Sequence, residues 1–329
     1  MGIFNKKYKL GLDIGSSMIK VCLPHRGGKS IVLRIPTPEG MVSKGVLQNI
    51  DQIEESMRPW VRKHQLSNYP VVATLPASTL VLRHIQIPNL KPQETAEAVE
   101  WEARRVLPFA LEEAQMDWLR QGTVVSEEGE MQEILLVAVR DSVVECYAQG
   151  IKETGLKLVS LDIAPMALGR WLLKDAEGAS LIIDIGAETT QMHFFSGTKL
   201  VFSRSLSIGG AQATNAIAAE AGLSHGEAEV KKLRGEYQEE WLGSWHRELG
   251  RELQRSLDYY RGNFSQQFAE GFQRVLLSGG AALTKGIESL IQELTGVEPG
   301  YAEFYTKEPN PRHDKIMFNV ALGAGMWEG

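Results

Sequence analysis

Apolar and polar positions follow the same order at two places in the chain, Leu10–Leu23 and Leu181–Phe195. In both, an apolar run is interrupted by one aspartate, then by glycine with a few small polar residues, and a second apolar run follows. Apolar runs separated by a glycine-containing turn are typical of two β-strands joined by a tight loop. Because the copies lie in opposite halves of the chain, the repeat predicts two related domains.

The pattern in the first half predicts alternating strands and helices. The predicted elements are strands at Lys9–Val21, Ile31–Ile35 and 69–78, a helix at Ile50–His64, a strand at Thr79–Ile87, a helix at Pro92–Val106, strands at Met116–Val125 and Glu133–Arg140, and a helix at Asp141–Thr154. From Thr79 onward, these elements form a compact β-α-β-β-α unit inserted into the first domain.

The second half predicts a hairpin at Gln191–Phe202 and a polar, largely helical segment from His225 to Gln273. A strand, a Gly-Gly turn and an amphipathic helix are predicted over Arg274–Leu294.

Both repeated turns carry residue types suited to an anion. An aspartate at the end of a buried strand, such as Asp13 or Asp184, costs free energy unless a cation meets it. The small residues that follow can direct backbone N–H groups and hydroxyls at a phosphate. Two such hairpins facing each other would hold a phosphate chain and its metal, and the Gly279-Gly280 turn would let the backbone approach a flat ligand.

Composition narrows the function classes further. The chain has 329 residues, enough for two domains, with 43% hydrophobic residues and a net charge of −6, which disfavours nucleic acid as a partner. Cys22 and Cys146 have neither metal-site nor disulfide spacing. No apolar run is long enough to span a membrane and the start is too polar for a signal peptide, so a cytoplasmic protein is expected.

These motifs, in this order, resemble the actin-like ATPase superfamily. The resemblance implies an α/β actin-like fold, with two duplicated RNase H-like domains around a nucleotide cleft and an FtsA-like inserted subdomain in the first domain. It divides the chain into a first core subdomain (1–78, 158–177 and 318–329), the insertion (79–157), a second core subdomain (178–224 and 273–317) and a helical subdomain over the cleft (225–272).

The inserted unit is similar to that of the PilM family, FtsA-like proteins of type IV pilus assembly. The similarity rests on the charged helix with Glu100 and Glu102, the helix stop Leu107-Pro108-Phe109 and the pair Asp117-Trp118. It implies a cytoplasmic ATP-binding scaffold, with nucleotide as a structural ligand or switch and little hydrolysis. The implied partners are the N-terminal cytoplasmic peptide of a PilN-like membrane protein and other pilus components including motor ATPases. Membrane contact would occur only through partners, and a homo-oligomer is compatible with the resemblance.

The superfamily resemblance also assigns site residues for ATP or ADP with Mg²⁺. The nucleotide would contact Asp13, Gly15, Ser16, Ser17, Lys20, Asp184, Gly186, Ala187, Glu188, Thr189, Thr190, Gly209, Gly210, Glu229, Lys232, Gly279, Gly280 and Ala281. Asp13 and Asp184 would hold Mg²⁺ through water, and Asp184 and Glu188 are the candidates for a catalytic base.

Several alternatives stay open at this stage. Lys20 could contact a phosphate or face solvent, and Glu229 with Lys232 could hold a ribose or form a surface ion pair. The partner peptide could lie between the insertion and the first core, against Leu80-Val81-Leu82, Ile85, Ile87, Val99 and Trp101, although these positions equally suit a hydrophobic core. A small-molecule kinase of the same fold and an FtsA-like filament protein are the rival functions.

Overall fold

The computed structural model describes residues 9–24, 31–126, 129–264, 270–301 and 316–328, so the predicted ranges extend outside it at residues 1–8, 25–30, 127–128, 265–269, 302–315 and 329. Its strands, in chain order, are β1 (Leu10–Ile14), β2 (Met18–Leu23), β3 (Ile31–Pro36), β4 (Val42–Ser43), β5 (Val46–Leu47), β6 (Pro70–Leu75), β7 (Val81–Pro88), β8 (Ala114–Ser126), β9 (Gly129–Arg140), β10 (Lys157–Ile163), β11 (Ala179–Ile185), β12 (Thr190–Ser196), β13 (Lys199–Leu206), β14 (Arg274–Ser278) and β15 (Gly300–Tyr301). Its helices are α1 (Asp51–Lys63), α2 (Pro92–Val106), α3 (Asp141–Glu153), α4 (Ala164–Leu172), α5 (Gly210–Ala221), α6 (His225–Arg234), α7 (Gly243–Asn263), α8 (Ile287–Thr295) and α9 (Asn319–Gly325).

Two five-stranded sheets share one topology. The first has the order β10-β6-β1-β2-β3 and the second the order β15-β14-β11-β12-β13. In each sheet, three strands that follow one another in the chain pair antiparallel. Two later strands then extend the sheet in parallel beside the first of the three. The identical order confirms the predicted duplication of an α/β domain.

The first strand of each triplet is central and almost continuously buried, as expected for a strand covered on both faces. In β1 the half-buried position is Asp13, and in β11 it is Asp184. The apolar run therefore fixes each strand inside its sheet, and the aspartate marks where that strand reaches a solvent-accessible edge.

Helices α4 and α9 pack against each other at close range. A Cβ atom on Gly323 would lie 1.9 Å from the carbonyl oxygen of Ala167, and one on Gly11 would lie 1.7 Å from that of Ala321. Only glycine permits this approach of helix to helix and of helix to strand. All residues of α9 are buried, so the two helices form a tightly packed connection beneath the sheets.

The inserted segment forms a separate antiparallel sheet of order β7-β9-β8. Helix α2 covers one face, where Ile85, Ile87 and Val99 are buried in a common cluster with Ile134. The predicted peptide contacts at Ile85, Ile87 and Val99 thus lie inside this core, whereas the Trp101 side chain is 61% exposed.

The other face of β9 turns toward the second domain. Leu135 is buried in a cluster that contains Phe195 and Leu200, and Gln121 Nε2 donates to the carbonyl oxygen of Leu200 at 2.9 Å. Inside the range predicted for the insertion, α3 places Tyr147 and Ile151 in the core of the first domain. No helix within the described ranges has the length and apolar character needed to cross a bilayer.

Candidate functional site

A cleft of about 310 Å³ lies between the two domains, at the edge where β1 and β11 end. The β1–β2 turn lines it from the first domain, and the β11–β12 turn with the start of α5 lines it from the second. The repeated sequence motif therefore contributes to both sides of one cavity, and its volume is in the range of small-ligand sites.

Hydrogen bonds within the first domain hold the turn after β1 in place. The Gly15 amide donates to the carbonyl oxygen of Met18 at 3.1 Å, and the Thr37 hydroxyl donates to the carbonyl oxygen of Gly15 at 2.7 Å. The Thr37 amide also donates to the carbonyl oxygen of Ser17 at 3.0 Å. With these carbonyl groups bonded within the domain, Ser16 and Ser17 face the cleft.

Lys20 lies directly opposite Asp13 in the antiparallel pair β1–β2. Its Nζ atom is 2.6 Å from Asp13 Oδ2, and the two side chains are 16% and 18% exposed. The glycine at position 15 makes room for this ammonium group, because a Cβ there would lie 2.9 Å from it. The structure thus turns Lys20 into the cleft and not toward open solvent.

The turn after β11 is joined to the start of α5. The Gly210 amide donates to the carbonyl oxygen of Gly186 at 2.9 Å, and the Ala211 amide donates to that of Ala187 at 2.7 Å. Burial raises the pKa of Asp184, opposed by a hydrogen bond from Ser278 and by the charge of Lys20, while the charge of Asp13 raises it further. The Asp13 carboxylate and the Lys20 ammonium group therefore both act on the pKa of Asp184 from the first domain.

The Gly-Gly turn after β14 packs onto the end of β11. Gly279 has φ of 87°, and a Cβ there would lie 2.4 Å from the carbonyl oxygen of Ile185. The Ala281 amide donates to that same oxygen at 3.0 Å. Because no other residue could sit so close, glycine at 279 brings this turn into the cleft beside Asp184, where Gly280 and Ala281 also line the wall.

Glu229 and Lys232 form an ion pair on α6, 2.6 Å apart. Lys232 Nζ also donates to the carbonyl oxygen of Gly210 at 2.9 Å and to the Thr214 hydroxyl at 2.7 Å. The ammonium group has three protons, so these contacts use all its donors. Desolvation lowers the pKa of Lys232, and the Glu229 carboxylate opposes that shift. Lys232 thus positions Glu229, whose carboxylate is left at the cleft wall.

The structure brings most of the predicted site residues together in the cleft lining. These are Asp13, Gly15, Ser16, Ser17, Lys20, Asp184, Gly186, Ala187, Thr189, Gly210, Glu229, Lys232, Gly279, Gly280 and Ala281. Three lie elsewhere. Thr190 is fully buried and its hydroxyl donates to the carbonyl oxygen of Ile208 at 2.8 Å, Gly209 packs against the main chain at Ala187, and Glu188 faces the first domain.

Sequence reasoning missed other residues in the lining, among them Arg34, Thr74 and Gln191. Arg34 lies opposite Lys20 in the β2–β3 pair, so Asp13, Lys20 and Arg34 form one row across three strands. Alternation along β3 could have indicated that Arg34 faces the same side as Lys20, but only with the strand register known. Gln191 Oε1 is buried and has no hydrogen-bond partner within the described residues.

The cleft lining therefore presents glycine-rich turns, serines, three cationic side chains (Lys20, Arg34 and Lys232) and three carboxylates (Asp13, Asp184 and Glu229) to an elongated anionic ligand. The described residues contain no cluster of three or more histidine, cysteine or acidic side chains that could enclose a metal ion. A divalent cation would instead share Asp13 and Asp184 with the ligand and with water, which is the environment that Mg²⁺ commonly occupies.

Comparison with known proteins gives a consistent result. A model of the family described as type IV pilus assembly protein PilM matches residues 11–311. A solved chain of a PilM-PilN type IV pilus biogenesis complex is 27% identical, with a TM-score of 0.81 over 97% of this chain and 98% of that one.

More distant structures show the fold alone. The ethanolamine utilization protein EutJ from Carboxydothermus hydrogenoformans is 15% identical, with a TM-score of 0.59 over 98% of this chain and 90% of its own. MreB5 of Spiroplasma citri, solved bound to ADP, is 14% identical, with a TM-score of 0.59 over 95% of this chain and 94% of its own. The predicted actin-like architecture is confirmed.

Proposed function

This chain belongs to the family of type IV pilus assembly proteins called PilM, and from that premise we propose that it is an ATP-binding scaffold of the inner-membrane platform that assembles the pilus. In this proposal the protein is cytoplasmic and reaches the membrane by docking on the short N-terminal cytoplasmic tail of a PilN-like membrane protein. The similar chain solved in a PilM-PilN complex supports this partner.

The observation that supports nucleotide binding most strongly is the pair of equivalent hairpins facing one cleft. Each places a strand-terminal aspartate, Asp13 or Asp184, next to a turn of small residues, and both line the same cavity. We assign the phosphates of ATP or ADP to these turns. The ribose is assigned to the Glu229 carboxylate held by Lys232, and the base to the Gly279-Gly280 turn.

The donor chemistry also suits Mg²⁺. Carboxylate oxygen is a ligand that this ion prefers, and Mg²⁺ commonly keeps several waters while binding one or two carboxylates and the phosphates. Asp184 and Asp13 would hold it in this way. The pKa of Asp184 is raised by burial. A bound divalent cation would favour the ionised carboxylate, so the affinity for the cation should increase with rising pH.

Little hydrolysis is expected because Asp184 is assigned to Mg²⁺, and Asp13 and Glu188 already accept hydrogen bonds. Asp13 accepts a hydrogen bond from Lys20 at 2.6 Å, and Glu188 accepts one from a main-chain amide outside the cleft lining. At the cleft, α4 begins with Ala164, which has no group able to accept a proton from water. Nucleotide would then act as a stabilising ligand and switch, since binding to one cleft state shifts the population toward it.

We further propose that the inserted subdomain is the part of the protein that receives the partner tail, by analogy with extended peptides in apolar grooves. Trp101 supports a surface role for α2, because it is 61% exposed and lies under the Arg105 guanidinium, 4.9 Å from the ring centre. Other pilus components, including the motor ATPases, and a homo-oligomer belong to the same proposal.

Calorimetric titration tests this function. ATP with Mg²⁺ is titrated into the purified chain, followed by a peptide copying the first residues of the membrane protein encoded beside it. We expect both to bind. Asp184→Ala and Asp13→Ala should each weaken the affinity for nucleotide by at least about tenfold, because charged hydrogen bonds and metal contacts are removed. The exposed Asp258→Ala on α7 is the matched control.

The outcomes separate the candidate functions. Nucleotide binding without peptide binding, together with phosphoryl transfer to a small hydroxyl compound, would favour the kinase alternative. Peptide binding with no nucleotide binding would leave the docking role and remove the switch.

A further inference from the structure

Glu188 makes a contact that crosses the cleft. It follows β11 in the second domain, and its Oε2 atom accepts a hydrogen bond from the main-chain amide of Lys44 in the first domain at 2.5 Å. The two residues are 144 positions apart in sequence. The bond therefore joins the two sides of the cleft directly, close to the turn that contains Gly186 and Ala187.

The first-domain side of this contact is the tip of the β4–β5 hairpin. Lys44 and Gly45 have φ of 49° and 79°, both in the left-handed region, as expected for a two-residue turn with positive φ at both central positions. Gly45 lines the cleft. This turn leaves the Lys44 amide free of the hairpin's own pairing and presents it to Glu188.

The same tip is tied to the two segments that flank the three-stranded sheet of the insertion. The Ser78 hydroxyl, just before β7, donates to the carbonyl oxygen of Lys44 at 3.2 Å. The Tyr147 hydroxyl, on α3 just after β9, donates to the carbonyl oxygen of Gly45 at 3.3 Å. A movement of the tip relative to Glu188 would therefore carry the base of the insertion with it.

We propose that Glu188 is the positioning residue that holds the cleft closed over bound nucleotide, and that the Lys44-Gly45 tip transmits this closure to the inserted subdomain. The inference rests on the proposed nucleotide binding. It gives the Glu188 carboxylate a task other than accepting a proton from water, because that carboxylate accepts the Lys44 amide and lies outside the cleft lining.

We call the contact between Glu188 and the Lys44 amide the latch. Stopped-flow measurement of the rate at which the full chain releases a fluorescent ATP analogue with Mg²⁺ tests it. We expect Glu188→Ala to release the analogue about threefold to tenfold faster, as for the loss of one solvent-exposed hydrogen bond. Glu188→Gln should stay within about twofold of the unchanged protein, since its amide oxygen still accepts the Lys44 N–H. The exposed Glu220→Ala on α5 controls for the lost charge.

Amide hydrogen exchange supplies a readout that a general loss of stability would not move. ATP should protect the Lys44 amide in the unchanged protein and in Glu188→Gln, but not in Glu188→Ala. In the double variant Ser78→Ala with Tyr147→Phe, ATP should still protect Lys44, while its effect on exchange in β7 and α3 should be lost.

Each other result has a defined meaning. If the unchanged protein fails to bind the analogue, the proposed function and the latch fall together. If it binds and Glu188→Ala releases it at the same rate, the latch alone is overturned. If Glu188→Gln slows ATP cleavage as much as Glu188→Ala and neither changes release, Glu188 is a base and the latch is also overturned.

Discussion

His193 is an ionisable residue inside the second domain that the cleft does not use. It lies on β12, is fully buried, and its Nδ1 atom is 2.8 Å from the Ser203 hydroxyl. Its Nε2 atom has no hydrogen-bond partner within the described part of the chain. Burial lowers the pKa of His193 to about 3, because the charged imidazolium would lose its hydration.

A pH dependence of stability follows. Above the unfolded-state pKa of about 6.5 the imidazole is neutral in both states, and below it only the unfolded chain takes up the proton. The free energy of unfolding should therefore fall as pH drops from about 6.5 toward 3, by up to about 1.4 kcal/mol per pH unit from this residue.

Chemical denaturation at pH 7 and pH 5 measures this pH dependence of the free energy of unfolding. Between these pH values, the free energy of unfolding of His193→Asn should fall by about 2 kcal/mol less than that of the unchanged protein. The exposed His225→Asn should behave like the unchanged protein. Parallel pH profiles for His193→Asn and the unchanged protein would contradict the assignment.

Single residues also show where sequence reasoning reached its limit. Asp13 and Asp184 could be predicted because the motif that marks them is local and repeated. The contact of Glu188 with Lys44 could not, because it joins loops 144 positions apart, and neither loop shows in its own sequence which domain it faces. The full use of the Lys232 ammonium group likewise depends on Gly210 and Thr214, which come from another helix.

At the scale of elements, the strands and helices near the cleft were predictable for a physical reason. The central strands β1 and β11 are buried apolar runs, and glycine ends each of them, so periodicity and turn chemistry agree. The lining by Arg34 needed the β2–β3 register, which depends on pairing and not on composition. The subdomain boundaries stay a prediction, and the placement of Tyr147 in the first-domain core shows why pattern alone does not fix them.

The α4–α9 contact carries a prediction of its own. Gly323→Ala would place a Cβ 1.9 Å from the carbonyl oxygen of Ala167, so the helices must separate. We expect the free energy of unfolding to fall by about 3 kcal/mol or more, because overpacking forces a backbone shift. Thermal and denaturant unfolding measure the change.

Gly262→Ala on α7 is the matched control, since nothing lies within 4 Å of the position of its Cβ. Alanine has the higher helix propensity, so this variant should be neutral or more stable by up to about 1 kcal/mol. Equal effects of the two substitutions would contradict the close packing of α4 and α9.

For the molecule as a whole, the inserted subdomain is attached to both domains. It leaves and rejoins the chain in the first domain, while the face of β9 that bears Leu135 packs against Phe195 and Leu200 of the second. Cleft closure and the insertion are therefore linked by two routes, the hairpin tip at Lys44 and this apolar contact. A partner bound to the insertion could affect the cleft, and nucleotide in the cleft would affect the partner equally.

Neighbouring residues on β9 allow the second route to be tested. Ile134 is buried in the insertion's own core under α2, and Leu135 is buried in the cluster shared with the second domain. Changing either residue to alanine should lower the free energy of unfolding by about 2–5 kcal/mol. Ile134→Ala should speed amide exchange in β7, β8 and β9 only, whereas Leu135→Ala should also speed it in β13, because the side chain that packs on Leu200 is lost. Equal exchange of β13 in the two variants would contradict the apolar route, and would leave the Lys44 tip and the hydrogen bond from Gln121 to Leu200 as the connections.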